Sequence, residues 1–183
     1  MLANLRALFG QLVDIIFWRR GPESLPASST LLAVLVALQV AVAVLMWSLA
    51  PRVPDHWQIS LFVGTAVTLL YFKLAFTLAN KRERFPQTMT AIFGTALLFA
   101  PVLIPLASAM LPFMDNPASS AQAPVALLLL GAALSIWQLA VQVRIVRAAF
   151  EWRWGMSIVL LIGQRIAGVL VSALIIGTPQ APV

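Results

Sequence analysis

The chain has no cysteine, which excludes a disulfide framework, a thiolate metal centre and a cysteine nucleophile. Acidic residues are nearly as scarce. Six Asp and Glu stand against twelve Lys and Arg, and only 10% of the 183 residues are charged. The single histidine, His56, lies beside Asp55 and Trp57 in an expected loop. One imidazole supplies neither the several ligands of a metal site nor a Ser-His relay inside a membrane. No metal, no cofactor and no enzymatic activity are expected. The net charge of +6 does not indicate nucleic acid, because the bases are scattered between apolar runs instead of forming a stripe.

Polar cover is also missing. Hydrophobic residues make up 61% of the chain and the mean hydropathy is +0.95, whereas soluble domains run at about 45–50% apolar and about 25% charged. A soluble fold of this size could not hide so much apolar surface. Lipid is the alternative solvent, and the expected fold class is an all-α membrane protein. Five apolar segments, at 30–50, 58–79, 88–113, 124–147 and 155–177, each approach the ~20 residues that cross a hydrocarbon core of ~30 Å. They form one membrane domain over 30–177, joined by short connections. The runs are continuous rather than alternating, which excludes a β-barrel. Ser28 or Ser29 is a natural N-cap for the first. Pro51 to Pro54 ends it, and Asp115-Asn116-Pro117 leads the loop before the fourth.

Residues 1–20 read differently. Leu5, Leu8, Phe9, Leu12, Val13 and Ile16 recur on one helical face, while Asn4, Arg6, Gln11 and Asp14 interrupt it. The pattern predicts an amphipathic helix lying in the membrane interface, stopped by the prolines of Gly21 to Pro26. Orientation follows from the bases near the span ends. Arg6, Arg19, Arg20, Lys81, Arg82, Arg84, Arg144, Arg147 and Arg153 fall on one side and only Arg52 on the other. The N-terminus is therefore expected in the cytoplasm and the tail from Thr178 on the opposite, periplasmic side. Trp18, Trp152 and Trp154 then mark the cytoplasmic interface, and Trp47 and Trp57 the other.

Association of spans in lipid relies on close packing through small residues. Ala33, Ala37 and Ala41 form such a stripe, as do Gly131 with Ser135, Gly163 with Ala167, and Gly168 with Ser172. Within the third span, Pro101 and Pro105 each remove a helical hydrogen bond. They make a candidate helix break of the kind that lines transporter sites, or a kink that shapes the bundle.

All six acids lie outside the spans, so no intramembrane carboxylate is present for proton or sodium coupling. Intramembrane polar residues do occur: Gln39, Lys73, Gln138, Gln142, Gln164 and Arg165. Gln39, Gln138 and Arg165 come out about 13–15 Å from the cytoplasmic end and Lys73 about 10 Å, so they form a candidate polar layer. Spans four and five are sequential and antiparallel, so Gln138 and Gln142 are expected to meet Arg165 and Gln164. An unpaired arginine at mid-bilayer costs at least ~2.5–3.5 kcal/mol. Three readings stand open. Arg165 is a packing bolt held by glutamines or by carbonyls freed near Pro101 in the third span, or with Lys73 it marks a site for an anionic group, or a partner subunit supplies the missing acid.

The five-span plan with a cytoplasmic N-terminal segment resembles the Yip-type (Ypt-interacting) membrane protein superfamily. Arg20 to Ser28, Phe85 to Thr95 and Trp137 to Glu151 are similar to small proteobacterial inner-membrane proteins grouped with it. The resemblance covers nearly the whole chain and implies a bacterial inner-membrane location. Its motifs are structural, and its eukaryotic members imply a role in membrane organisation. The expected function is a non-enzymatic scaffold, assembly or membrane-organising factor. The alternative is a small transporter or anionic-lipid-binding protein that uses the cationic layer. The bilayer, anionic lipid, partner membrane proteins and a second copy are the partners these readings admit.

Overall fold

A computed structural model of the chain describes residues 2–49, 56–114 and 124–176. The segment Pro51 to Asp55, the loop containing Asp115 to Pro117, and the C-terminal tail lie outside the described residues. Among those described, every regular element is helical. The order is α1 (Leu2–Ile16), α2 (Ser29–Leu49), α3 (Trp57–Leu78), α4 (Phe85–Met114), α5 (Val125–Phe150) and α6 (Trp154–Ile176). Single 3-10 turns occur at Pro22–Ser24 and Arg82–Arg84. The helices α2 to α6 are five, each long and apolar enough to cross a membrane.

Local chemistry sets the boundaries. Ser28 caps α2, its Oγ accepting the N–H of Leu31 at 3.2 Å. Such a cap satisfies one of the donors orphaned at a helix start. The third span begins at Phe85, three residues before its expected start, because the turn at Arg82–Arg84 runs straight into it. The fourth continues three residues further than expected, to Phe150, and ends where Glu151 adopts a left-handed conformation (φ 57°).

Contacts are made chiefly between α3 and α6, α2 and α4, and α4 and α5. The fully buried residues gather at one end. Phe72 and Phe76 of α3, Met89 to Thr95 of α4 and Val141 to Phe150 of α5 supply most of them, with Leu12, Ile15 and Leu25 closing over the top. On α2 burial stops at Leu35, on α4 at Phe99 and on α6 at Gln164; on α3 it begins only at Phe72 and on α5 at Val141. In the remaining halves of the five helices, no described residue is fully buried. Exposed Leu, Ile and Val there are what a chain solvated by lipid should show.

The helix α1 is part of the packed end. Leu12 fits against Gly94 of α4, where an added Cβ would stand 2.7 Å from a Leu12 methyl. Trp137 Nε1 donates to the Ile16 carbonyl at 3.4 Å, and Phe17 meets the Trp137 ring edge-on at 5.6 Å. The sequence stripe is therefore rotated from its expected centre. Leu12, Ile15 and Ile16 are buried, whereas Phe9, expected on the same face, is 57% exposed. The reason is the partner: α1 presses one narrow ridge between α4 and α5, and Phe9 falls outside that ridge.

Leu12→Ala should lower the stability of the detergent-solubilised protein by about 2–5 kcal/mol, the usual cost of truncating a buried leucine. Phe9→Ala should change it by less than about 0.5 kcal/mol. Thermal unfolding of the two variants checks the docking of α1, and equal effects would contradict it.

Candidate functional site

Basic residues dominate the packed end, and Glu151 is their main counter-charge. Lys81 Nζ donates to Glu151 Oε2 and Arg84 Nη1 to Glu151 Oε1, both at 2.7 Å. The same two cations also reach the last carbonyls of α5. Lys81 donates to Phe150 O at 2.9 Å and Arg84 to Ala149 O at 3.1 Å. Cations at a helix C-terminus satisfy orphaned carbonyls and complement the negative end of its dipole. Beneath this clamp, Phe150 stacks on Phe76 at 4.2 Å and leans on Trp152 at 4.4 Å. The α3–α4 connection and the end of α5 are thus fastened by both charge and aromatic packing.

The hydrogen bond from Lys81, then that from Arg84, holds the Glu151 carboxyl below its ordinary pKa. A second set of bases uses aromatic faces instead of acids. Arg144 lies over the Trp18 ring at 5.3 Å and Arg147 over Trp154 at 5.1 Å, with the two tryptophan rings 6.2 Å apart. Cation–π contacts of this kind hold an arginine at an interface without an anion. Asp14 pairs with Arg20 at 3.2 Å and more loosely with Arg19 at 3.9 Å.

Two cavities border this end. One, of about 280 Å³, is lined by Pro22, Glu23, Arg84, Gln87, Thr88 and Glu151. The other, about 310 Å³ and almost wholly apolar, runs between α3 and α6 along Tyr71, Leu74, Leu78, Trp152 and Leu160. None of the residues of the expected polar layer lines either one.

The layer itself is dispersed. Gln164 is buried and donates from Nε2 to Thr68 Oγ1 of α3 at 2.8 Å. Gln142 is buried in the packed end, and Gln138 is half-buried. Gln39 is half-buried, with its Oε1 enclosed and unpartnered among the described atoms. Lys73 and Arg165 are both exposed. The expected hydrogen bond of Arg165 to Gln138, Gln142 or carbonyls of the third span is not made among the described residues. The correction has a geometric cause. The main partner of α6 is α3, not the preceding α5, and side chains one residue apart point about 100° apart on a helix. With Gln164 turned onto Thr68, Arg165 is carried outwards.

The proline pair also differs from expectation. The helix α4 runs unbroken from Phe85 to Met114, and Pro101 and Pro105 are exposed on it. They therefore form no helix break that lines a site. Each missing N–H removes one hydrogen bond, yet α4 continues past both residues. Of the small-residue stripes, Ala33, Ala37 and Ala41 are all exposed, while Gly163 receives the Tyr71 hydroxyl so closely that a Cβ there would lie 2.6 Å from it.

Sequence reasoning overlooked Thr68, Tyr71 and the clamp on Glu151. The clamp carried a signal: an acid directly beyond a span end, with a base-rich connection on the same side. Thr68 carried none, because its role depends on which helix α6 chooses.

The depressed carboxyl of Glu151 fixes the sign of a pH effect. Its contribution is complete above the ordinary carboxylate value of about 4.3 and is lost as pH falls through the lower folded value. Glu151→Gln should therefore unfold at a lower temperature than the parent chain at pH 7, and the gap should shrink as pH falls below about 4. A gap that stays constant down to pH 3 would contradict the clamp.

Comparison with family models, with curated proteins and with solved structures gives no match.

Proposed function

We propose that the chain is a multi-pass membrane protein acting as a non-enzymatic scaffold or assembly factor, in keeping with its resemblance to the Yip-type superfamily. On this reading it resides in a bacterial inner membrane, with the packed, basic end in the cytoplasm and the C-terminus in the periplasm. The helix α1 lies at the cytoplasmic interface with Phe9 and Phe17, both exposed, directed at lipid. The basic end then faces the anionic headgroups of the inner leaflet, each base near that surface contributing about 1 kcal/mol of attraction.

One observation carries the reading. The intramembrane cations Lys73 and Arg165 face outwards and line neither cavity. A carrier or an anion-binding chamber would need them turned inward around a wet or ligand-filled space. Outward-facing polar and small residues suit contact with neighbouring membrane proteins instead, and the exposed Ala33, Ala37 and Ala41 stripe allows another helix to approach closely.

A photo-crosslinking residue placed at Ala37 in living cells should yield discrete adducts of fixed mass. Purified protein in liposomes should give no saturable uptake of carboxylate or phosphate solutes. Saturable uptake together with no adduct would replace the scaffold by the transporter.

A further inference from the structure

Arg165 occupies the midpoint of the 23-residue helix α6, about 16 Å from either end at ~1.5 Å per residue. Its rotation is fixed by its neighbours. Gly163 lies under the Tyr71 hydroxyl and Gln164 donates to Thr68, so the α3-facing side of α6 is settled. Arg165 is exposed and makes no hydrogen bond to any described residue. It sits in line with Ile158, Ile162 and Val169, all more than 40% exposed. These positions follow the i, i+4, i+7, i+11 spacing of a helix-packing seam.

We propose that this face of α6 docks a transmembrane helix of another protein that carries an Asp or Glu near its middle. The inference deepens the scaffold reading and rests on it for the premise that the chain works by association. Charge selects the occupant. A guanidinium offers a planar fork of donors that a carboxylate accepts in bidentate fashion, and a bilayer interior strongly favours meeting that demand over leaving it unmet.

The other occupants fit less well. A second copy brings no acid, because Asp14, Glu23, Asp55, Glu83, Asp115 and Glu151 all lie outside α2 to α6. A two-fold contact through this seam would also set Arg165 near its own equivalent. Lipid phosphates stand at the edges of a hydrocarbon core ~30 Å thick, and Arg165 is as far from both edges as the helix allows. Lys73 differs in this respect. It is five residues from the end of α3, close enough for its flexible stem to carry the ammonium to the headgroups.

The test uses the full chain, donor-labelled, in phosphatidylcholine liposomes. Acceptor-labelled leucine-rich transmembrane peptides of matched length carry Glu, Gln or Leu at the centre. Energy transfer should show the Glu peptide associating at least about tenfold more tightly than the Leu peptide, a difference of about 1.4 kcal/mol. The Gln peptide should fall between them. Arg165→Leu should abolish the preference while leaving helical content unchanged, since the side chain is exposed, and Arg165→Lys should retain part of it. Equal binding of the Glu and Leu peptides would overturn the proposal. So would a preference that survives in Arg165→Leu, or one that disappears when phosphatidylglycerol is added, which would make lipid the occupant. The scaffold reading fails on different grounds, namely saturable solute uptake without adducts.

Discussion

A charged group cannot rest in hydrocarbon without a partner, and most of this architecture follows from where the chain puts its bases. Lys81, Arg84, Arg144 and Arg147 are gathered where four helices begin or end, and each has a local solution. Lys81 and Arg84 take Glu151 and the final carbonyls of α5. Arg144 and Arg147 take tryptophan faces. These contacts join the α3–α4 connection to the end of α5, and the end of α1 to α5 and α6. The aromatic core of Phe76, Phe150 and Trp152 lies directly beneath. Exposed ion pairs are individually weak, commonly 0–1 kcal/mol, so the clamp positions the chain while the buried aromatics hold it.

The two ends of the bundle consequently obey different rules. At the basic end, α1 and the turn at Pro22–Ser24 cover the helices, and Gln87 reaches across to the Leu25 carbonyl at 2.9 Å. Burial there resembles that of a small soluble domain. Toward the opposite end, the described residues contain no fully buried side chain, and the tilted contact of Trp47 with Trp57 at 6.2 Å ties the start of α3 to α2. Lipid has no hydrophobic preference for expelling leucine, so nothing forces those halves to bury their side chains among themselves. The packed end is thus held by its own side chains, and the outward-facing halves beyond it are left to the lipid.

Part of this was legible in the sequence, because hydropathy and caps are local quantities. The five apolar helices and the Ser28 cap needed only composition and spacing. The polar layer needed helix neighbours, and sequence order misled there. Consecutive spans were expected to pair, so Gln138 and Gln142 were assigned to Arg165, whereas α6 lies mainly on α3 and Gln164 takes Thr68. A rotation of one residue separates a buried glutamine from an exposed arginine. Pro101 and Pro105 misled as well: α4 runs on past both, and both face outwards, so neither opens a site. In α1 the buried ridge of Leu12, Ile15 and Ile16 is centred where Gly94 leaves space for Leu12, which spacing along one helix does not reveal.

On the proposed topology, the packed, basic end of the bundle faces the cytoplasm. The native chain has no cysteine, so single cysteines at the exposed positions Arg82 and Arg153 report on that end alone. With a membrane-impermeant maleimide, both should stay unlabelled in intact cells with a permeabilised outer membrane and react once the inner membrane is opened. Labelling of either position before the inner membrane is breached would contradict the account.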